Sequence, residues 1–229
     1  MSTPDPIAAG ELSPADMTLD ELRAVIGRAL PAEAAFDGWT ERAVEAAATR
    51  LGIPLERVPL LFPGGEREMI DWWIRAADND MATALAGRDI AALKIRERIR
   101  AAVWTRLEQA TPHREAVRRA LAILARPGNA ALAARTLWRT ADSMWRACGD
   151  TAMDLSHYTK RMTLGAVYSS TLLVWLNDDS EGFAETAAFL DRRIDNVIRF
   201  ERFKARIRPA TGRGLNPARF LGRLRYPAT

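Results

Sequence analysis

The chain holds a single cysteine, Cys148, among 229 residues, so no intrachain disulfide can form and a reducing compartment is expected. Its two histidines are His113 and His157. One cysteine and two separated histidines do not make a zinc set. No Glu-x-x-His pair exists, whereas a di-iron carboxylate bundle needs two. Asp154, Ser156 and His157 are triad residue types, but they fall within one helical turn and no nucleophile elbow accompanies them. The only glycine-rich turn, "PGGERE", lacks the lysine and hydroxyl of a phosphate loop. These absences exclude the common hydrolase, metal and nucleotide chemistries. The expectation is a protein that is not an enzyme and carries no metal or cofactor.

No apolar run approaches the ~20 residues of a membrane span. Period-2 alternation is nearly absent, which excludes a sheet protein. The first seventeen residues mix Pro4, Pro6 and Pro14 with Asp5, Glu11 and Asp16. That is neither a signal peptide nor a transit peptide, and a disordered leader is expected over residues 1–17. The expected location is cytoplasmic, at the inner surface of a bacterial membrane. Lysine is also scarce, with only Lys94, Lys160 and Lys204, which reflects a GC-rich genome more than a function.

Apolar residues, by contrast, make up 48% of the chain, ample for a sizeable core. Net charge is +4, but unevenly distributed. From Arg192 onward there are eleven basic residues and two acids, a surplus of +9 that leaves the rest of the chain at −5. An acidic body with a basic tail points to an anionic partner there, membrane phospholipid or nucleic acid.

Helical spacing recurs throughout. "TLDELRAVIGRAL" opens with Thr18 and Glu21, a capping-box pattern. "TERAVEAAATRLG" stops at Gly52 as at a C-cap. Further on, Met69, Trp73, Ala77, Met81 and Leu85 form one stripe, and Ile95, Ile99, Val103 and Leu107 another. A helix begins at Pro112, the next stacks Leu137, Ala141, Trp145 and Cys148, and another ends near Asn177. The last long helix is expected from Ser180 to about Ile207, with Phe183, Ala187, Leu190, Ile194 and Val197 inward. Its acidic start and basic end complement the helix dipole. A short helix over residues 217–225 follows. The fold class is all-α, about nine to ten helices.

The stretch "GDTAMDLSHYTKRMTLGAVYSSTLLVW" has two halves. Asp154 suits the N-cap of its helix, or a partner contact. Lys160 and Arg161 have no acid three or four residues away, so intrahelical pairing does not absorb them; they belong to a solvated face or to an acidic partner's surface. Tyr158 is a core aromatic or an interface anchor. Beyond Met162 the helix is apolar all round, as in a buried central helix. Gly165 within it points to close approach of a backbone or ligand. Seven tryptophans and seven methionines suit a cavity for a long flexible lipid, and equally an ordinary core.

"AAFDGWTERAVEAAATRLGIPLERVPLLFPGG" resembles the N-terminal helix-turn-helix of tetracycline-repressor-like regulators. The segment in the recognition position, "PLERVPLLF", offers one Arg and one Glu and is broken by Pro59, so it is poor for reading bases. The module is expected to be degenerate, over residues 18–64, with a larger helical bundle over 65–208 and a basic tail over 209–229.

"MWRACGDTAMDLSHYTKRMTLGAVYSSTLLVWLNDDS", with Met144, Trp145, Gly149, Asp150, Asp154, Tyr158, Thr159, Lys160, Arg161, Leu164, Tyr168, Thr171, Asp178 and Ser180, resembles the Coq-nine family of ubiquinone-biosynthesis proteins. "FLDRRIDNV" and "LFPGGEREMIDWW" extend the resemblance to about residues 18–208. It implies a tetracycline-repressor-like fold that does not bind nucleic acid and is not an enzyme. It implies an apolar cavity for isoprenoid quinone intermediates or phospholipid, a homodimer, and docking on the di-iron demethoxyubiquinone hydroxylase. Carried onto this chain, the docking patch comprises Met144, Asp154, His157, Tyr158 and Arg161. His157 departs from the Trp of eukaryotic members. The cavity set is Trp104, Trp138, Trp145, Met162, Gly165, Tyr168, Leu172 and Trp175. An anionic membrane surface would meet Arg219, Phe220, Leu221, Arg223 and Leu224 in a short amphipathic helix. The rival reading is a ligand-sensing regulator of the same fold.

Overall fold

The structure, a computed structural model, describes residues 13–150 and 155–207. The described residues form α-helices and short 3₁₀ turns, with no strand among them. The tail expected to touch membrane, Arg219, Phe220, Leu221, Arg223 and Leu224, lies outside the described residues, as does Asp154. Of the expected leader, residues 13–17 form a turn, and Arg57 donates to the carbonyls of Pro14, Ala15 and Met17 at 3.1, 3.2 and 2.7 Å.

Helix α1 (Leu19–Asp37) starts with the capping box expected from Thr18 and Glu21. It buries Leu22, Ile26, Leu30 and Ala34, one residue per turn. Helix α2 (Glu41–Arg50) ends in a full Schellman turn. Gly52 takes φ +67°, its N–H donates to Thr49 and that of Ile53 to Ala48. After a 3₁₀ turn over Leu55–Arg57, helix α3 (Val58–Leu61) lasts four residues. Pro59 permits a first turn and supplies no donor for more.

Helix α4 (Glu66–Ala86) is the central strut, packed on α1, on α5 (Ile95–Ala110) and on α7 (Ala130–Ala147). Its buried stripe is Met69, Trp73, Met81 and Leu85 as expected, with Ala77 half-buried. A Cβ on Gly27 would meet the Trp72 carbonyl oxygen at 3.5 Å, which lets α1 and α4 lie close. Of the α5 stripe, Val103 and Leu107 are buried and Ile95 is exposed. Helix α6 (Arg114–Leu124) packs on α1, and α8 (Leu155–Trp175) packs on α7.

Helix α9 (Ala184–Ile207) begins four residues later than the sequence pattern places it, because Gly182 and Phe183 both take positive φ. Phe183 is therefore not a rung of the helix; it packs on Trp175 at 6.2 Å and under the Arg114 guanidinium at 5.4 Å. Asp178 anchors this start, accepting from Ser180 N–H and Oγ and from Thr186 N–H and Oγ1 at 2.5–2.9 Å. Burial pushes the Asp178 pKa up, but these four bonds outweigh it and hold the carboxyl well below the usual range. The chain divides within α9 into a unit ending at Ile194 and a second from Asp195.

Candidate functional site: an apolar cavity beside an aromatic and charged helix end

Helices α4 to α8 enclose a cavity of about 340 Å³, at the small end of the roughly 300–1,000 Å³ of ligand sites. Helix α4 contributes Trp73 and Ile74, and α5 contributes Arg106 and Ala110. Helix α6 gives Val117, Ala120, Leu121 and Leu124; α7 gives Ala133, Thr136, Leu137 and Thr140; α8 gives Tyr168, Ser169, Leu172 and Leu173. Small residues on α6 and α7 leave the space that larger ones would fill. Leu173 is 59% exposed, so the apolar lining reaches the surface there.

One end of this cavity is charged. The Asp78 carboxylate, 3% exposed, accepts from Thr140 Oγ1 at 2.9 and 3.0 Å and faces Arg106 Nε at 3.5 Å and Arg139 Nε at 3.7 Å. Burial pushes its pKa up against the pull of those partners. Arg139 also reaches Asp71 at 2.8 Å, and burial of Asp71 is overcome by Arg139 and Arg75, which hold its pKa low. Burial likewise raises the Tyr168 phenol.

Of the residues expected to line a cavity, Tyr168 and Leu172 do. The others do not. Trp104 lies half-buried on α5, donating to Glu108 at 2.6 Å beneath Arg100. Trp145 donates to the Lys160 carbonyl at 2.9 Å and stacks under Lys160 Nζ, tying α7 to α8. Trp175 is buried against Phe183 and Arg114. Met162 is 69% exposed, so α8 is not apolar on a buried face all round: its outer face is solvated. Gly165 is approached neither by a backbone nor from the cavity; the Leu137 side chain covers it, 3.5 Å from a notional Cβ. Trp138 belongs to a different place, a surface cluster with Tyr158 at 5.8 Å and His157 at 6.3 Å between ring centres.

Tyr158 and His157 of that cluster belong to the expected docking patch, and Trp138 to the expected cavity set. Tyr158 is 60% exposed and meets His157 edge-on at 5.2 Å. Two other members of the patch are not surface residues: Met144 is fully buried and Arg161 is 2% exposed. Arg161 and Lys160 are also paired, by acids that sequence spacing does not reach. Arg161 Nε donates to Asp142 at 2.5 Å and its Nη1 to Asp150 at 3.2 Å; Lys160 Nζ lies 2.6 Å from Asp150. The cause is local. Gly149 takes φ +84° and closes α7 with a Schellman turn, its N–H on Arg146 and that of Asp150 on Trp145. This turn sets Asp150 beside α8. Burial of Asp150 is outweighed by Lys160 and Arg161, which hold its pKa low.

The sequence reading placed a helix from Pro112 but assigned none of its residues to the cavity, and it missed the charged end. The signal for α6 was present: Val117, Ala120, Leu121 and Leu124 recur at helical spacing. Asp78 and Arg106 announce themselves only as polar residues beside core positions on α4 and α5. No helix among the described residues is long and apolar enough to cross a membrane. Among the described residues no cluster of His, Cys, Asp or Glu could hold a metal.

This arrangement, a short-helix N-terminal module on a larger helical bundle with an internal cavity, defines a tetracycline-repressor-like fold. A TetR transcriptional regulator from Nitrosomonas europaea, known by crystal structure, superposes with a TM-score of 0.61 at 24% identity, covering 78% of this chain and 99% of that one. Residues 130–201 match the COQ9 family model, and these include the whole motif over residues 144–180 that carries the resemblance. The chain is 30% identical over 168 residues to the human mitochondrial ubiquinone biosynthesis protein COQ9, covering 70% of this chain and 52% of that one. It is 28% identical over 185 residues to the probable mitochondrial coq9 protein of Dictyostelium discoideum, 78% of this chain and 60% of that one. A COQ9-B protein of Xenopus laevis is 38% identical over 100 residues, 44% of this chain and 34% of that one. The chain thus spans between about a third and three fifths of the length of these relatives, and the resemblance to the Coq-nine family is shown.

Proposed function

We propose that this protein is a non-catalytic lipid-binding protein of ubiquinone biosynthesis. Its cavity holds the apolar chain of an isoprenoid quinone intermediate, and the end of α8 around Tyr158 docks the demethoxyubiquinone hydroxylase that uses it. The observation that carries this reading is a single helix. Residues of α8 line the cavity at Tyr168, Leu172 and Leu173, and the same helix presents the exposed Tyr158 near its start, against Trp138 of α7. The COQ9 match covers that helix.

The finer parts of the reading are a homodimer, a peripheral position on the inner face of a bacterial membrane, and contact of the basic tail with anionic phospholipid. The charge division of the chain supports the last of these.

The regulator reading rests on the likeness of fold. Against it stands α3, four residues long, with Leu60 57% exposed and with the lone arginine of the segment engaged by residues 13–17. A base-reading helix presents free polar side chains. The discriminating experiment is capture of the purified hydroxylase beside binding to the protein's own promoter fragment. Capture that falls in Tyr158→Ala, with only weak salt-sensitive DNA binding, supports the accessory protein. Salt-resistant binding of one promoter fragment, with no capture, supports the regulator.

A further inference from the structure

Arg106 is the one charged side chain in the cavity wall whose bonding is visibly incomplete. It is 3% exposed, and its Nε has no hydrogen-bond partner. The nearest carboxylate oxygen, on Asp78, stands 3.5 Å from that nitrogen. The face of Trp73 lies 5.7 Å from the guanidinium carbon and offers no acceptor lone pair. Arg106 and Trp73 stand together in the wall between the main cavity and a smaller cleft of about 250 Å³ lined by Arg28, Asp80 and His113. A guanidinium has five donors in a fixed fork, and leaving them unmade in a dry site is costly.

Three hydroxyls of the lining are already occupied. Thr140 donates to Asp78, Thr136 to the Ala133 carbonyl and Ser169 to the Ala166 carbonyl. The charged donor of the lining is therefore Arg106, with the Tyr168 hydroxyl and the Trp73 indole N–H as neutral donors of the same lining. Charge narrows the guest further. Arg106 is balanced by Asp78, and Arg139 is shared between Asp71 and Asp78; the two further arginines on Asp71, Arg75 and Arg135, are half-exposed or more and stand outside the cavity lining. A carboxylate or phosphate placed here would bury a negative charge with no unpaired cation in the cavity wall to match it. A neutral acceptor, such as a quinone or ketone oxygen, fits without that cost.

We propose that Arg106 is the anchor of a head-group subsite, which takes a neutral oxygen-acceptor head while the apolar chain runs past Leu172 toward Leu173. This rests on the lipid-binding reading above and adds to it the residue that orients the ligand and the charge class of its head.

The test uses the full chain and three probes of equal chain length: a decyl-substituted benzoquinone, decylbenzene and decanoate, each displacing a fluorescent apolar dye. The wild-type protein should bind the quinone about tenfold or more tightly than decylbenzene, the range of a hydrogen bond from a charged donor. It should also bind the quinone more tightly than decanoate. In Arg106→Met combined with Asp78→Asn, which removes the ion pair without leaving a lone buried carboxylate, the quinone should lose that advantage. Decylbenzene should bind within about twofold of wild type in that variant, because its contacts are dispersive. Arg106→Lys, which keeps the charge but not the fork, should restore less than the full preference. Equal binding of quinone and decylbenzene by the wild type, or a preference that survives the double variant, overturns the anchor while leaving lipid binding intact. Tighter binding of decanoate than quinone overturns the neutral-head assignment. Binding of none of the three overturns the parent reading and the anchor together.

Discussion

Arg161 of α8 and Asp150, in the turn that closes α7, meet at 3.2 Å in a nearly dry site, with Asp142 completing the group. The guanidinium thereby serves as a clasp between two helices, and what it stabilises is the position of Tyr158 one turn earlier on α8. Removing Arg161 leaves Asp150 to Lys160 and Asp142 to Arg146, so the cost should fall below the roughly 3–5 kcal/mol of breaking an isolated buried pair. Arg161→Ala should accordingly lower the urea midpoint. An unchanged midpoint would show that solvent already satisfies this pair.

Tyr158→Ala should behave in the opposite way. The ring is mostly exposed and touches only Trp138 and His157 among the described aromatics, so stability should change by about 0.5 kcal/mol or less. Capture of the hydroxylase should fall by about tenfold or more if the ring is an interface anchor, where truncation costs about 2 kcal/mol. Surface plasmon resonance with the purified hydroxylase reads this directly. Full affinity in the variant moves the docking surface elsewhere.

Gly165→Ala is a further check on how α8 is packed. The added methyl would sit 3.5 Å from Leu137 Cγ, an ordinary contact, and the helix gains about 0.5–1 kcal/mol in propensity. The variant should be as stable as wild type or more so in thermal melts. A drop of several degrees would mean that Leu137 cannot yield.

The pH dependence of stability follows from Asp150 and Asp178. Both have folded pKa values below the ordinary 3.8. A depressed folded pKa contributes stability that is present above the unfolded value and lost as pH falls through the folded one. Stability should therefore fall on acidification below about pH 4, and Asp178→Asn should flatten that slope. Asp78 has a raised pKa and contributes in the opposite sense, favouring the folded state less at neutral pH than in mild acid. Urea midpoints measured from pH 3 to 7 test this; an identical slope in Asp178→Asn contradicts the assignment.

The helices were readable in the chain because their signals are local. Thr18 with Glu21, and Gly52 after α2, are decided within a few residues of sequence, and the structure shows both caps. The start of α9 was misplaced because the acids at Asp178 and Glu181 favour a helix N-terminus, whereas the positive φ at Gly182 and Phe183 depends on Trp175 and Arg114, distant in sequence. Arg161 was read as without an acid because only i±3 and i±4 neighbours are visible along one helix; Asp142 and Asp150 arrive from another helix and a turn. Cavity residues were misjudged for a related reason. The large aromatics Trp104, Trp138 and Trp145 attract attention, yet a cavity forms where side chains are small, at Ala120, Ala133 and Thr136. Large residues fill space; gaps are made by what is missing between them.

Ala120→Phe should fill the lumen at its narrow alanine-lined wall without touching Tyr158. Lipid recovered with the protein should fall severalfold, and hydroxylase capture should be retained. Loss of both would mean that the substitution distorts the bundle.

The most direct test is the identity of what the cavity holds. Protein purified from its native host under mild conditions should release, on denaturation, an apolar molecule with an isoprenoid chain at a substantial fraction of one per chain, detected by mass spectrometry, and Ala120→Phe should release much less. An empty wild-type cavity, or an equal yield from the filled variant, would contradict the claim that this protein is a lipid holder.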